Sequence, residues 1–315
     1  MVKFRWTRQI EKNFTNCLTW IAMCAGISLL FVMIGSWSGL LCAQEYKPSK
    51  RTEGSHVFRI KDPVIQTDRL EGKDAPEFIT NMNMSMEAYD KLERDFFRYL
   101  NNIQFDCRNR IRAGGDPEGG WEVCLDPPYD MKKDACLVYS FGIARDWTFD
   151  DYMGDVFHCE VHSFDPSIGE KDHKRSKYVN FHNLGIFGRN SVITKKKVPW
   201  TVKTLGSIMN KLGHREKTLD YLKIDVESHE WMSLQTAIAE GALRHVKQLG
   251  MEFHSAEHNL LQPMRISIWR GLYRLGFRIY FTSWNHNCRR TSIATGRTIF
   301  TCQEVHFVNI NFMQE

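Results

Sequence analysis

The sequence is poor in the short signatures that assign a chemistry on sight. Among the cysteines after residue 43 (Cys107, Cys124, Cys136, Cys159, Cys288 and Cys302) there is no C-x-x-C pair, which argues against a zinc ribbon. No G-x-G-x-x-G run occurs, so a glycine-built pyrophosphate cradle is disfavoured. There is no internal repeat, which excludes a solenoid. Surplus charge is also scarce. The net charge is +5, but Lys3, Arg5, Arg8 and Lys12 against Glu11 supply +3 of it, leaving about +2 for the remainder (5 − 3). Basicity is therefore a feature of the N-terminus and gives no argument for nucleic-acid binding. Lys195-Lys196-Lys197 and the run from Lys171 to Lys177 read as solvated loop charge.

No charged residue occurs from Asn13 to Gln44. Within that gap residues 17–43 are almost wholly apolar, longer than the roughly 20 residues that cross a bilayer. Basic residues precede them, so the positive-inside rule puts residues 1–16 in the cytosol and everything after residue 43 in the lumen or outside, as a single-pass type II membrane protein. The alternative is a secreted chain, its signal peptide cleaved near Ala43, but the apolar span exceeds a usual h-region. Six cysteines in a lumenal domain permit disulfides. Six cysteines allow 15 connectivities, among which the sequence does not choose; the working expectation is Cys107–Cys124 locally and Cys288–Cys302 across a hairpin, while Cys136 and Cys159 read as core or disulfide and not as reactive thiols. Asn83-Met84-Ser85 is a glycosylation acceptor compatible with this topology.

Residues 44–80 are polar and aperiodic and read as a stem; residues 81–315 form the folded domain. A helix is expected from Ser85, with Tyr89, Leu92, Phe96, Leu100 and Ile103 on one face. From about residue 135 strands and helices alternate. Strands are expected at 136–141, 161–164, 179–184, 221–226, 246–253, 278–282 and 305–310. Helices are expected after His229, carrying Trp231, Leu234 and Ile238, and at 263–275. The pattern predicts an α/β fold with a mostly parallel sheet and an antiparallel C-terminal hairpin at one edge.

The chemistry gathers at strand ends. Tyr221 to Val226 is a buried strand with Asp225 and Glu227 at its carboxyl end, followed by Ser228-His229-Glu230 opening a helix. Ligands of open α/β sheets sit outside these carboxyl ends. The plainer reading is that the acids cap the helix. Gly142, ending the first strand, lets the backbone turn close to a ligand or simply makes a turn. Asp165, ending the second, suits ribose hydroxyls or an Asp-Pro turn. Glu252-Phe253-His254 closes the fifth strand, and His254 is either a general base or a satisfied, partly buried histidine. His229 reads as solvent-facing or capping. Gly142, Asp165, Asp225 and Glu227 together, at successive strand ends, are far more specific than any one of them.

These residues carry a family likeness. Lys223-Ile224-Asp225-Val226-Glu227-Ser228-His229-Glu230 resembles the K-I-D-V-E-G-x-E signature of FkbM-type S-adenosylmethionine-dependent methyltransferases. Cys136-Leu137-Val138-Tyr139-Ser140-Phe141-Gly142-Ile143, Trp147-Thr148-Phe149-Asp150 and Leu249-Gly250-Met251-Glu252-Phe253-His254 are closer still to the animal methyltransferase-like protein twenty-four family. The likeness covers about residues 105–312. It implies a Rossmann-like, seven-stranded class I methyltransferase sheet and S-adenosylmethionine as cofactor. Phe141 and Gly142 would lie beside its methionine part, Asp165 at the ribose, Asn183 and Leu184 at the adenine, and Asp225 and Glu227 near the sulfonium and acceptor. The chain departs from the pattern at Ala144 and Arg145, where further glycines are usual, and at Ser228, where FkbM proteins have glycine.

The expected reaction is methyl transfer to an oxygen of an unidentified acceptor. Asp225 would position cofactor and acceptor, with His254 or Glu227 as base; no metal enters this reading. Two rivals use the same residues. A membrane-anchored glycosyltransferase would use Asp225-Val226-Glu227 as a metal-binding D-x-D-like site. A non-catalytic module would retain the methyltransferase fold for binding alone.

Overall fold

The computed structural model describes residues 85–116, 118–255 and 263–314, all within one compact unit, Leu70–Glu315. The expected cytosolic tail at residues 1–16, the expected span at residues 17–43, the expected stem at residues 44–80 and Asn83 lie outside the described residues. Among those that are described, no helix is long and apolar enough to cross a membrane.

In chain order the elements are α1 (Met86–Leu100), β1 (Arg110–Ala113), β2 (Trp121–Cys124), β3 (Leu137–Phe141), α2 (Thr148–Phe157), β4 (Glu160–Phe164), β5 (His173–Lys174), β6 (Val179–His182), β7 (Gly185–Ile186), β8 (Ser191–Lys195), β9 (Val198–Lys203), α3 (Leu205–Leu212), β10 (Leu219–Ile224), α4 (Glu230–Ala239), β11 (Val246–His254), α5 (Pro263–Arg274), β12 (Phe277–Trp284), β13 (Arg289–Thr291), β14 (Thr298–Phe300) and β15 (Cys302–Asn309). The central sheet runs β12-β15-β11-β10-β3-β4-β6-β5. The five strands β11, β10, β3, β4 and β6 are parallel. β15 lies antiparallel between β11 and β12, the expected antiparallel pair at one edge. The sheet has eight strands where seven were expected, because the two-residue β5 pairs antiparallel with β6 at the far edge.

Burial explains the sequence pattern. β3 and β10 are buried along their whole length, as parallel strands covered on both faces must be. One face carries the larger core, with Tyr139, Phe141, Phe164, Leu222, Ile224, Trp231, Phe253 and Trp269. The other packs Val138, Val161, Val179 and Tyr221 against Phe149 and Met153 of α2 and against Trp121. Ser85 caps α1 by accepting the Ala88 N–H at 3.2 Å. Phe96 and Leu100 are buried in the larger core, but Ile103 lies beyond the helix and is 50% exposed.

Two differences from the sequence reading bear on function. β10 stops at Ile224, so Asp225, Val226 and Glu227 lie beyond the strand in a turn. α2 and α3 carry buried faces where no helix was expected. The Lys195-Lys196-Lys197 run is the turn of a β8–β9 hairpin, with Lys196 and Lys197 at positive φ and exposed. Three disulfides staple the domain, Cys107–Cys124, Cys136–Cys159 and Cys288–Cys302. The first and third are the expected pairs; the second joins the residue preceding β3 to the residue preceding β4.

Candidate active site

The crossover direction reverses between β3 and β10, which pair directly, and the carboxyl ends of the strands at such a switch point are where open α/β sheets hold their ligands. Gly142 turns the chain at φ +76°. A Cβ on it would stand 1.6 Å from the Asp225 carbonyl oxygen, so the two strand-end turns touch through backbone. Ala144 and Arg145 follow at φ +46° and +77°, a region that costs side-chain-bearing residues about 1–2 kcal/mol each. The turn thus keeps a glycine-type shape without the glycines. It is held from outside: the Ala144 N–H donates to Asp165 Oδ2 at 2.8 Å, and Arg145 donates to Glu170 and to the Ile168 carbonyl.

Asp165 is buried, and its other oxygen accepts the Ser167 N–H at 2.7 Å. Its visible work is therefore to clip the loops after β3 and β4 together, with a second lone pair on each oxygen left for a ligand hydroxyl. Asn183 is half-buried after β6, its N–H donating to Asp172. The side chains of Phe141 and Leu184 are in the core. Phe141 stacks on Phe164 at 4.4 Å between ring centroids, and its carbonyl oxygen accepts the Asp225 N–H at 3.1 Å. It belongs to the frame of the crevice and not to its wall.

Beyond β10 the chain enters α4 through a tight turn, with Glu227 and Ser228 at φ +52° and +77°. Position 228, where the related signature has glycine, holds a glycine-favoured conformation. This turn brings four carboxylates around one imidazole. Nε2 of His254 lies 3.9 Å from Asp225, 3.7 Å from Glu227 and 3.4 Å from Glu252. Its Nδ1 lies 3.5 Å from Glu230. Burial alone would lower the His254 pKa, but Glu230 and Glu252 outweigh it and push it up to about 11. His254 is thus an imidazolium at neutral pH. A group already carrying the proton is poorly suited to act as base, so the array favours His254 as the counter-charge of the acids.

The acids respond in turn. Burial pushes the Asp225 carboxyl up to about 6, with Lys223 opposing and Glu252 adding to the shift. Burial also works against ionisation of Glu252, but His254 and the Asn285 amide hold it below the usual range; that amide donates to Glu252 Oε1 at 2.8 Å. The Glu227 side chain is 85% exposed.

Sequence reasoning passed over two central residues. Glu230 is completely buried at the start of α4; its Oε1 accepts the His254 backbone N–H at 2.5 Å, while Oε2 has no partner. Lys223 is buried mid-strand, donating to the Gly142 carbonyl at 3.0 Å, with its ammonium 4.9 Å from the centre of the Trp121 ring. A lysine inside an apolar strand was the available signal. His229 occupies the N-cap position of α4 without a side-chain cap, its ring edge-on to Phe187.

A doubly wound, mostly parallel sheet with an acidic crevice at its switch point has the architecture of a class I methyltransferase. The chain belongs to the methyltransferase domain family, whose model matches residues 66–296. It is 31% identical over 181 residues to the human methyltransferase-like protein 24, covering 54% of this chain and 49% of the relative. Against the Rattus norvegicus protein of the same name the identity is 30% over 255 residues, covering 76% and 66%. The chain thus spans one half to two thirds of the length of these relatives. Among solved structures it is similar to Aeropyrum pernix fibrillarin with bound S-adenosyl-L-methionine, at TM-score 0.32 and 11% identity, covering 58% of this chain and 70% of that one. A second similar structure is a Streptococcus mutans methyltransferase-type protein in complex with SAH, at TM-score 0.31 and 12% identity, covering 57% and 90%.

Proposed function

We propose that the chain transfers the methyl group of S-adenosylmethionine to an oxygen of an acceptor on the lumenal or outer side of a membrane, with residues 17–43 as the tether. The observation that carries the cofactor reading is the charge of the crevice. Asp225, Glu227, Glu230 and Glu252 stand against His254 and Lys223, a formal excess of −2 (2 − 4). Such a surplus beside the Gly142 turn favours a cationic ligand, and a sulfonium is one. The donor set is compatible with the cofactor in two further respects: Asp165 keeps lone pairs for ribose hydroxyls, and the half-buried Asn183, which the resemblance assigns to the adenine, has a side-chain amide that could meet it.

When bound, the cofactor supplies a methyl carbon whose bond to sulfur breaks, the electron pair staying on sulfur, as the acceptor oxygen bonds to it. The chain's residues do the rest. Asp225 takes the acceptor's proton; a carboxyl with a pKa near 6 is mostly ionised at neutral pH and more basic than an ordinary one. His254 holds Asp225, Glu227 and Glu252 in a fixed array. Lys223 pins the Gly142 turn from beneath through its carbonyl. The three disulfides support the oxidising compartment. The glycosyltransferase rival needs a metal between Asp225 and Glu227, where it would compete with the His254 ring, whose Nε2 lies 3.9 Å and 3.7 Å from those acids.

Calorimetry on the purified chain tests this without knowledge of the acceptor. Cationic S-adenosylmethionine is expected to bind more tightly than its neutral thioether product, and Asp225→Asn to reduce that preference. Equal affinities would refute the electrostatic reading. Failure to bind either would favour a non-catalytic module.

A further inference from the structure

Far from the Gly142 turn, at the amino end of the sheet, a second cluster lies outside the methyltransferase chemistry. Glu160 opens β4, His162 follows on the same strand, and His214 sits in the loop after α3. Glu160 Oε1 lies 2.9 Å from His162 Nε2 and 3.6 Å from His214 Nε2, and the three donor atoms lie within 4.8 Å of one another. We propose that Glu160, His162 and His214 bind one divalent transition-metal ion, zinc in the first place, with a fourth position open to solvent.

The donor set is two imidazoles and one carboxylate, the composition of open tetrahedral zinc sites. Bonds of about 2.1 Å at tetrahedral angles put neighbouring donors about 3.4 Å apart, and the two measured separations straddle that figure. The imidazoles are buried, with side chains 8% and 5% exposed, whereas that of Glu160 is 49% exposed. Glu160 also lines a cleft of about 740 Å³, so the carboxylate side of the trio faces solvent.

The atoms behind the donors argue more strongly. Metal-bound histidines are oriented through their second ring nitrogen. His162 Nδ1 lies 2.8 Å from His182 Nε2, and His182 Nδ1 lies 3.5 Å from Asp172. His214 Nδ1 lies 2.8 Å from the Tyr139 hydroxyl. With the ion in place of the Nε2 protons, His162 would donate from Nδ1 to His182, His182 to Asp172, and His214 to the Tyr139 oxygen. The two 2.8 Å contacts already stand at hydrogen-bond distance and only the outer His182–Asp172 contact would need to tighten from 3.5 Å, so loading requires chiefly a change of tautomer. Two other His/Cys/acid groupings occur among the described residues, and both include cysteines tied up in disulfides.

The test uses the full chain stripped with chelator and titrated with zinc chloride, with bound metal counted by mass spectrometry and affinity read by calorimetry. One zinc per chain is expected, weakened by His162→Ala, His214→Ala and Glu160→Gln, and by about 10- to 100-fold in His182→Ala. Glu160→Gln alters only a half-exposed side chain and keeps the test valid if the histidine variants misfold. Cobalt(II) substitution is expected to give tetrahedral visible bands without thiolate charge-transfer absorption. No zinc uptake by the parent chain, uptake unchanged in Glu160→Gln, or a thiolate spectrum would each overturn the site.

Discussion

Glu230 Oε1 accepts the backbone N–H of His254 at 2.5 Å and lies 3.5 Å from the Nδ1 of the same residue. One completely buried acid at the head of α4 thus fixes both the end of β11 and the charge of its last side chain. Glu230→Gln keeps an acceptor for the N–H but removes the charge. The His254 pKa is then expected to fall from about 11, read by NMR titration of the ring protons. Glu230→Ala removes both functions and is expected to destabilise the domain by on the order of 3 kcal/mol, as breaking a buried pair does, measured by denaturant unfolding. An unmoved His254 titration in Glu230→Gln would show that Glu252 alone sets its charge.

The Gly142 turn separates steric need from conformational preference. Gly142→Ala would drive a Cβ into the Asp225 carbonyl, and backbone on both sides would have to move. It is expected to abolish S-adenosylmethionine binding even in protein that still melts cooperatively. Ala144→Gly has the opposite sign, relieving a positive φ and raising stability by up to about 1 kcal/mol after the entropy cost of glycine. A fall in melting temperature for Ala144→Gly would mean that the alanine methyl packs better than its φ suggests.

Peptide mapping under non-reducing conditions is expected to recover Cys107–Cys124, Cys136–Cys159 and Cys288–Cys302. The middle pair closes a loop of 23 residues that contains the Gly142 turn and α2. Replacing both of its cysteines by serine is expected to cost about 3 kcal/mol. Exchanged pairings in the map would disprove the connectivity.

How much of this could be read beforehand depended on whether a residue's type matched its surroundings. β3, β4 and β10 are buried along nearly their whole length, so their strands and the strand-end positions of Gly142, Asp165 and Asp225 were legible. Glu230 was not: glutamate is almost never fully buried unless paired, and its partner lies 24 residues away on another element. Asp150 hid α2 in the same way, as a buried acid held by Ser140 and Ser163 within a stretch whose period it interrupts. The role of His254 needed the count of carboxylates around it, which only the turn after β10 supplies. The short β5 and the β8–β9 hairpin carry little apolar pattern, because most of their residues are not buried.

The charge of His254 ties stability to pH with a definite sign. Its folded pKa of about 11 lies above the ordinary value of 6.5, so folding holds a proton that the unfolded chain releases. The contribution is complete below pH 6.5 and is lost as the pH rises through the folded value. Asp225 acts in an earlier window: raised from 3.8 to about 6, it keeps a proton that the unfolded chain sheds, and stability declines as the pH rises through that range. Other groups titrate too, so the informative quantity is the gap in melting temperature between the parent chain and His254→Gln. The gap is expected to be widest near pH 6.5 and to narrow steadily towards about pH 9, as the imidazolium loses its advantage. A gap that stays constant over this interval would mean that His254 is neutral in the folded chain, and the acid array around it would then need another counter-charge.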